Sequence, residues 1–132
     1  MEQFKVGLLG IGRGTAYGRI FSNNPKTRVT ALCDINQESL AANGRNFNLK
    51  NNQLFTDFDN FINADFDIAV IGSPIPYHAD QVVKALAAGK HVLSEVTAAN
   101  TLEGCERIVK AVKGSSKKYM MAENCNYMYF VR

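Results

Sequence analysis

The stretch "GLLGIGRGTAYG", residues 7–18, decides how the chain is read. Ahead of it stands a short apolar run, Phe4–Gly10, with the length of a buried strand. Behind it, Thr15–Asn23 has the pattern of a short helix stopped before Pro25. Gly10, Gly12 and Gly14 fall between the two. Glycines there permit a tight strand-to-helix turn. They also let an anion approach backbone N–H groups at a helix N-terminus, where the helix dipole is positive. Gly10 and Gly12 match the first two glycines of the G-x-G-x-x-G fingerprint for a pyrophosphate. The third position falls on Thr15, so the strict pattern misses by one residue, and Gly14 implies an altered turn.

Working outward, strand-like and helix-like segments alternate. Arg28–Asp34 reads as a second strand and Asn36–Phe47 as a helix with Leu40 and Phe47 two turns apart. A very short third strand falls at Leu54–Phe55, followed by a helical turn through Phe58 and Phe61. Phe66–Pro74 is a strong central strand. Tyr77–Gly89 is an amphipathic helix with Ala79, Val82 and Leu86 on one face and Gly89 as its stop. His91–Glu95 is the next strand. Asn100–Gly114 is a helix with Leu102, Cys105, Val109 and Val112 on one face, and Asn100 with Glu103 resembles a capping box. Lys118–Asn124 is the last strand. Apolar strands alternating with helices predict a doubly wound parallel sheet of about six strands, in the order 3-2-1-4-5-6, with helices on both faces.

Asp34 closes the second strand, near the spacing of about 20 residues at which such sheets place an acid on a ribose. It also stands where a residue could cap the following helix. A carboxylate there repels a 2′-phosphate, which favours NAD over NADP. Arg13, in the turn and able to reach a phosphate, keeps NADP open. Ligands of doubly wound sheets lie beyond the carboxyl ends of the strands, so "GSPIPYH", "SEVTAAN" and "AENCNY" are the other informative stretches. Gly72, Ser73 and Pro74 let the backbone turn past a ligand. His78, at a helix start, fits capping or packing, and alternatively a place near a nicotinamide. Glu95 ends its strand on a lone carboxylate. Glu123 and Asn124 finish the last strand and suit the cap of a turn.

Composition narrows the partners. With 15 Lys plus Arg against 12 Asp plus Glu, the net charge is +3 and the basic residues are scattered, so no nucleic-acid partner is expected. No apolar run is long enough to span a membrane, and no signal peptide is visible. Cys33, Cys105 and Cys125 lack metal-site spacing and read as buried or half-buried thiols of a reducing cytosol, with no metal expected. Residues 1–132 make one domain. The run Tyr127–Val131 has no following element to pack on, which predicts a domain cut from something longer.

Taken together, "VGLLGIGRG", Cys33–Asp34, "GSPIPYHADQVVKALAAGKHVLSE" and "YMMAENCNY" resemble the N-terminal domain of the Gfo/Idh/MocA oxidoreductases over essentially the whole chain. The resemblance implies an NAD(P)-binding domain, with Gly10, Gly12, Arg13, Gly14, Asp34, Ser73, Pro74, His78 and Glu95 on the cofactor. It also implies a small carbohydrate-like substrate and a separate substrate and oligomerisation domain, absent here, that makes the full-length protein a homo-oligomer. The family's Glu-Lys-Pro reads Glu95-Val96-Thr97 in this chain, so the cofactor role carries over to Glu95 and the catalytic lysine is missing. Valine cannot exchange a proton. The catalytic group is therefore open, with His78, Glu123 and Tyr127 as candidates. The variant is similar to a Glu-Val-Pro branch that holds both sugar dehydrogenases and glycosidases using bound NAD transiently. Three readings follow: a sugar or cyclic-polyol dehydrogenase, an NAD-dependent glycosidase, and a nucleotide-binding domain without catalysis.

Overall fold

The computed structural model describes residues 3–130. Six strands form a single sheet: β1 (Phe4–Leu9), β2 (Thr27–Cys33), β3 (Leu54–Phe55), β4 (Ile68–Ile71), β5 (His91–Ser94) and β6 (Tyr119–Met121). Their order is β3-β2-β1-β4-β5-β6, and every pairing is parallel. Five α-helices connect them: α1 (Ile11–Asn23), α2 (Gln37–Asn46), α3 (Phe58–Ile62), α4 (His78–Ala87) and α5 (Leu102–Lys113). This is the doubly wound order predicted above.

Alternate strand residues point to opposite faces, and each face has its own core. Val6, Leu8, Leu32 and Val70 pack with Ile11 of α1 and Leu40 of α2. Leu9, Ala31, Ala69 and Ile71 pack on the other face with Phe61 of α3, Val82 and Leu86 of α4, and Ile108 of α5. The apolar runs of the central strands are continuous because both faces are covered.

Boundaries differ from expectation where local chemistry overrides pattern. Helix α1 starts at Ile11 rather than Thr15, because Gly10 takes a left-handed conformation (φ 79°) and turns the chain directly into the helix. The glycines after it are therefore helical rather than loop. Gly18, further along α1, lies close under α2: an added Cβ would fall 2.6 Å from the Phe47 ring tip and 2.7 Å from a Leu8 methyl. Gly18 thus supplies the close helix packing that the fingerprint assigns to its third glycine, and Thr15 is relieved of it.

The helix cap falls one residue later than expected, at Thr101, whose hydroxyl accepts from the Gly104 N–H at 3.0 Å; with glycine at that position there is no side chain to complete the box expected at Asn100 and Glu103. The buried face of α5 also turns with respect to the expectation. Of the four residues expected there, Cys105 and Val112 pack half-buried against the core, whereas Leu102 and Val109 are exposed and Gly104 and Ile108 are buried in their place. An added Cβ at Gly104 would meet Ala79 and Ala99. Among the thiols, Cys33 is buried and Cys105 half-buried, but Cys125 is exposed, since it lies in the turn after β6. No helix among the described residues is long and apolar enough to cross a membrane. Of the expected apolar run at the C-terminus, Val131 lies outside the described residues. Tyr127, Tyr129 and Phe130 are exposed.

Candidate functional site

Because all strands run parallel, their carboxyl ends form one edge. Backbone hydrogen bonds continue one residue beyond the strands along that edge. Asp34 donates to Phe55, Gly10 to Cys33, Gly72 to Leu9, Glu95 to Ile71 and Ala122 to Ser94, at 2.7–3.1 Å. Asp34, Gly10, Gly72 and Glu95 therefore stand in a row, in sheet order. Three interstrand steps of about 4.8 Å put the two carboxylate-bearing residues roughly 14 Å apart, on either side of the glycine turn.

The turn itself is shaped by close backbone approach. A Cβ on Gly10 would lie 2.5 Å from the carbonyl of Gly72, so only glycine lets β1 and β4 end side by side here. A Cβ on Gly12, by contrast, would meet nothing within 4 Å. Gly12 thus faces open space at the first turn of α1, where N–H groups are unpaired within the helix and the dipole is positive. Arg13 and Gly12 are exposed and Gly14 is buried in the same turn.

Asp34 is tied to this turn. One carboxylate oxygen accepts from the Ile11 N–H at 2.7 Å and the other from the Asn36 N–H at 2.9 Å. Asn36, not Asp34, caps α2, its side chain accepting from Ser39. Both oxygens of Asp34 retain acceptor capacity toward a hydroxyl. The preceding thiol, Cys33, is pushed up to about 12, first by burial and then by Asp34 and Asp57, and so stays protonated.

The β4–β5 side is built from side chains. Glu95 accepts from the Tyr17 hydroxyl of α1 at 2.9 Å and from the Val96 N–H at 3.1 Å. Burial, then the bond to Glu95, pushes the Tyr17 phenol up to about 12, so it remains a donor. Val96 is half-buried, and the Val96–Thr97 peptide bond is cis. The His78 ring is 1% exposed, with Nδ1 2.7 Å from the Thr97 carbonyl and Nε2 2.7 Å from the Ser73 carbonyl. A neutral imidazole has one N–H for these two acceptors, and a protonated ring has two. The Ser73 hydroxyl donates to the side-chain oxygen of Gln81. Pro74 is exposed beside them, at the start of a short 3₁₀ turn, Ile75–Tyr77.

The nine residues expected on a cofactor thus share one edge of the sheet. Of these, His78 points into protein rather than outward. Glu123 lies past β6, where its carboxylate accepts from the Cys125 N–H at 2.9 Å and caps the 3₁₀ turn Asn124–Tyr127. That is the capping alternative for Glu123. Tyr17 and Gln81 lie within stretches quoted above but were not singled out, because their partners lie 78 and 8 residues away and are met only in the fold.

An open glycine turn at a helix N-terminus, flanked by two carboxylates, suits a ligand with two sugars joined by a pyrophosphate. The arrangement defines a dinucleotide-binding domain. The model of the oxidoreductase family GFO_IDH_MocA, with its NAD-binding Rossmann fold, matches residues 4–123, and the chain belongs to that family.

Among curated relatives, glycosyl hydrolase family 109 protein 2 of Shewanella sp. (strain ANA-3) is 32% identical over 96% of this chain and 30% of its own length. The chain therefore spans less than a third of such relatives. Among solved structures, scyllo-inositol dehydrogenase from Lactobacillus casei, with bound NAD(H) and scyllo-inositol, superposes with a TM-score of 0.89. It is 24% identical, over 97% of this chain and 38% of that one. The WlbA dehydrogenase from Bordetella pertussis, in complex with NADH and UDP-GlcNAcA, gives a TM-score of 0.90. It is 22% identical, over 98% and 40% of the two chains. At these identities the two structures establish the shared fold.

Proposed function

We propose that this chain is the cofactor half of an NAD-dependent dehydrogenase acting on a sugar or cyclic polyol. The observation that carries the proposal is the row Asp34, Gly10, Gly72, Glu95, which offers a phosphate turn between two ribose-binding carboxylates. Asp34 serves the adenosine ribose and disfavours a 2′-phosphate by charge, which selects NAD over NADP. Gly12 and the first turn of α1 take the pyrophosphate, with Arg13 beside it. Glu95 holds the second ribose, and the loops at Ser73–Pro74 and Val96–Thr97 flank the nicotinamide. When bound, NAD supplies the hydride acceptor.

Val96 leaves this chain without a lysine to take the substrate's proton. The proton-transfer group and most of the substrate pocket accordingly belong to a second domain outside residues 1–132, which also mediates assembly of a homo-oligomer in the cytoplasm. The row of strand ends contributes position; it supplies no acid or base at the Val96 site.

A second reading is favoured by the glycosyl hydrolase names of the curated relatives. In it the same cofactor site serves a glycosidase in which oxidation is transient and no net NADH forms. The product of the full open reading frame separates the two. NADH absorbance rising with a sugar or inositol substrate supports the dehydrogenase. Nitrophenol release from an aryl glycoside, with no NADH accumulating, supports the glycosidase. Calorimetry of the 132-residue chain with millimolar NAD and NADP tests what both share: absence of heat with either cofactor would remove both readings and leave a domain with another ligand.

A further inference from the structure

Helix α4 begins at His78, immediately beyond the Ser73–Pro74 loop. His78 and Gln81 stand three residues apart, on one face of the helix. Both reach the same neighbour: the ring of His78 meets the Ser73 carbonyl at 2.7 Å, and the amide of Gln81 takes the Ser73 hydroxyl. The other ring nitrogen of His78 meets the Thr97 carbonyl at 2.7 Å, in the loop after β5. One buried side chain thus bridges the loops that follow two adjacent strands. Those loops make no regular sheet pairing beyond Gly72 and Glu95, so their spacing depends on such a bridge.

We infer that His78 is a positioning residue that sets the gap between the Ser73–Pro74 and Val96–Thr97 loops, and thereby the seat of the nicotinamide ring. The inference rests on the cofactor reading above. It reassigns His78 from contact with the cofactor to control of the walls around it. A buried ring with both nitrogens turned to backbone carbonyls has no face free to act as acid or base toward a substrate. Loss of the ring nitrogens leaves the Ser73 and Thr97 carbonyls without their partner at the buried His78 position, which drives the loops to rearrange. The adenosine side, held by Gly10 and Asp34, shares no hydrogen bond with His78 and keeps its geometry.

The test uses NAD and ADP-ribose, which share everything except the nicotinamide. The wild-type chain and three variants are titrated with each by calorimetry. His78→Phe removes both ring nitrogens and with them both loop contacts. His78→Asn keeps an amide near the Nδ1 position and His78→Gln near the Nε2 position, so each preserves one loop contact. The expected result for His78→Phe is NAD affinity lowered by ~10-fold, the scale of a lost buried hydrogen bond, with ADP-ribose affinity within about twofold of wild type. Asn and Gln fall between, and they carry the test if the Phe variant does not fold. Equal losses for NAD and ADP-ribose, or no loss for either, would overturn the proposal. If the wild-type chain binds neither ligand, the cofactor reading itself falls; if it binds both and only the variants disagree, the cofactor reading stands without the clamp.

Discussion

The two halves of the ligand edge are built by different means. On the β1–β2 side, backbone does the shaping: a left-handed glycine, a close approach to Gly72 and an unobstructed Gly12 in the first turn of α1. Asp34 is the one side chain added to it, and it is bonded to the turn it serves. On the β4–β5 side, the backbone turns are held by side chains drawn from two helices, Tyr17 from α1 and His78 and Gln81 from α4. A site made of backbone tolerates few substitutions at the residues that shape it. A site made of side-chain contacts yields gradually as single contacts are removed.

The largest effect that separates the halves is expected at Gly10. Gly10→Ala combines a positive φ with a backbone clash at Gly72, and about 3 kcal/mol of stability should be lost in urea denaturation. A loss below 1 kcal/mol would show that the β1 and β4 ends can part, and the contrast between the halves would disappear. Next comes Asp34→Ala. NAD affinity should fall by at least ~10-fold, and NADP affinity by less, because removing the carboxylate also removes a repulsion. Comparable losses for the two cofactors in parallel titrations would take the ribose role away from Asp34.

Gly18→Ala is expected to be milder than Gly10→Ala, at about 1 kcal/mol, because its added methyl meets side-chain tips that can move. Thermal melting of the two variants side by side checks that ranking. The smallest effect belongs to Tyr17→Phe, with about 1 kcal/mol or less lost near neutral pH. Its pH signature is more telling. The folded chain holds the Tyr17 proton more tightly than the unfolded chain. The contribution is therefore complete below the ordinary tyrosine value of 10.0 and lost as pH rises through about 12. The difference in melting temperature between wild type and Tyr17→Phe should shrink across that window. A constant difference would place the Tyr17 effect in packing rather than in its bond to Glu95.

How much of this was legible in the sequence follows the same division. The strand order could be read because buried parallel strands are short apolar runs and the crossovers have one hand. The glycine turn and Asp34 could be read because each acts through a fixed spacing. The start of α1 could not, since glycine's low helix propensity argues against a helix that the Gly10 turn imposes. The buried face of α5 was legible at Cys105 and Val112 but not at Leu102 and Val109, which look like core residues, while the close contact with α4 is made at Gly104 against Ala79. Glu95 was legible as a strand-end acid, but its partner Tyr17 was not: the bond joins residues 78 positions apart and exists only once α1 has docked. His78 shows the same limit. Its place at a helix start was visible, whereas its two carbonyl partners depend on loops that only the fold brings together.

The outermost strands are the shortest in the sheet, two residues in β3 and three in β6. A free sheet edge is a template on which another chain can add a strand, and its hazard grows with the length of unpaired backbone it displays. This sheet ends at both sides before such a template is long enough to hold a register. Strand-by-strand growth into fibrils is thereby discouraged at the sheet's margins, without proline or a bulge, simply by stopping the pairing early.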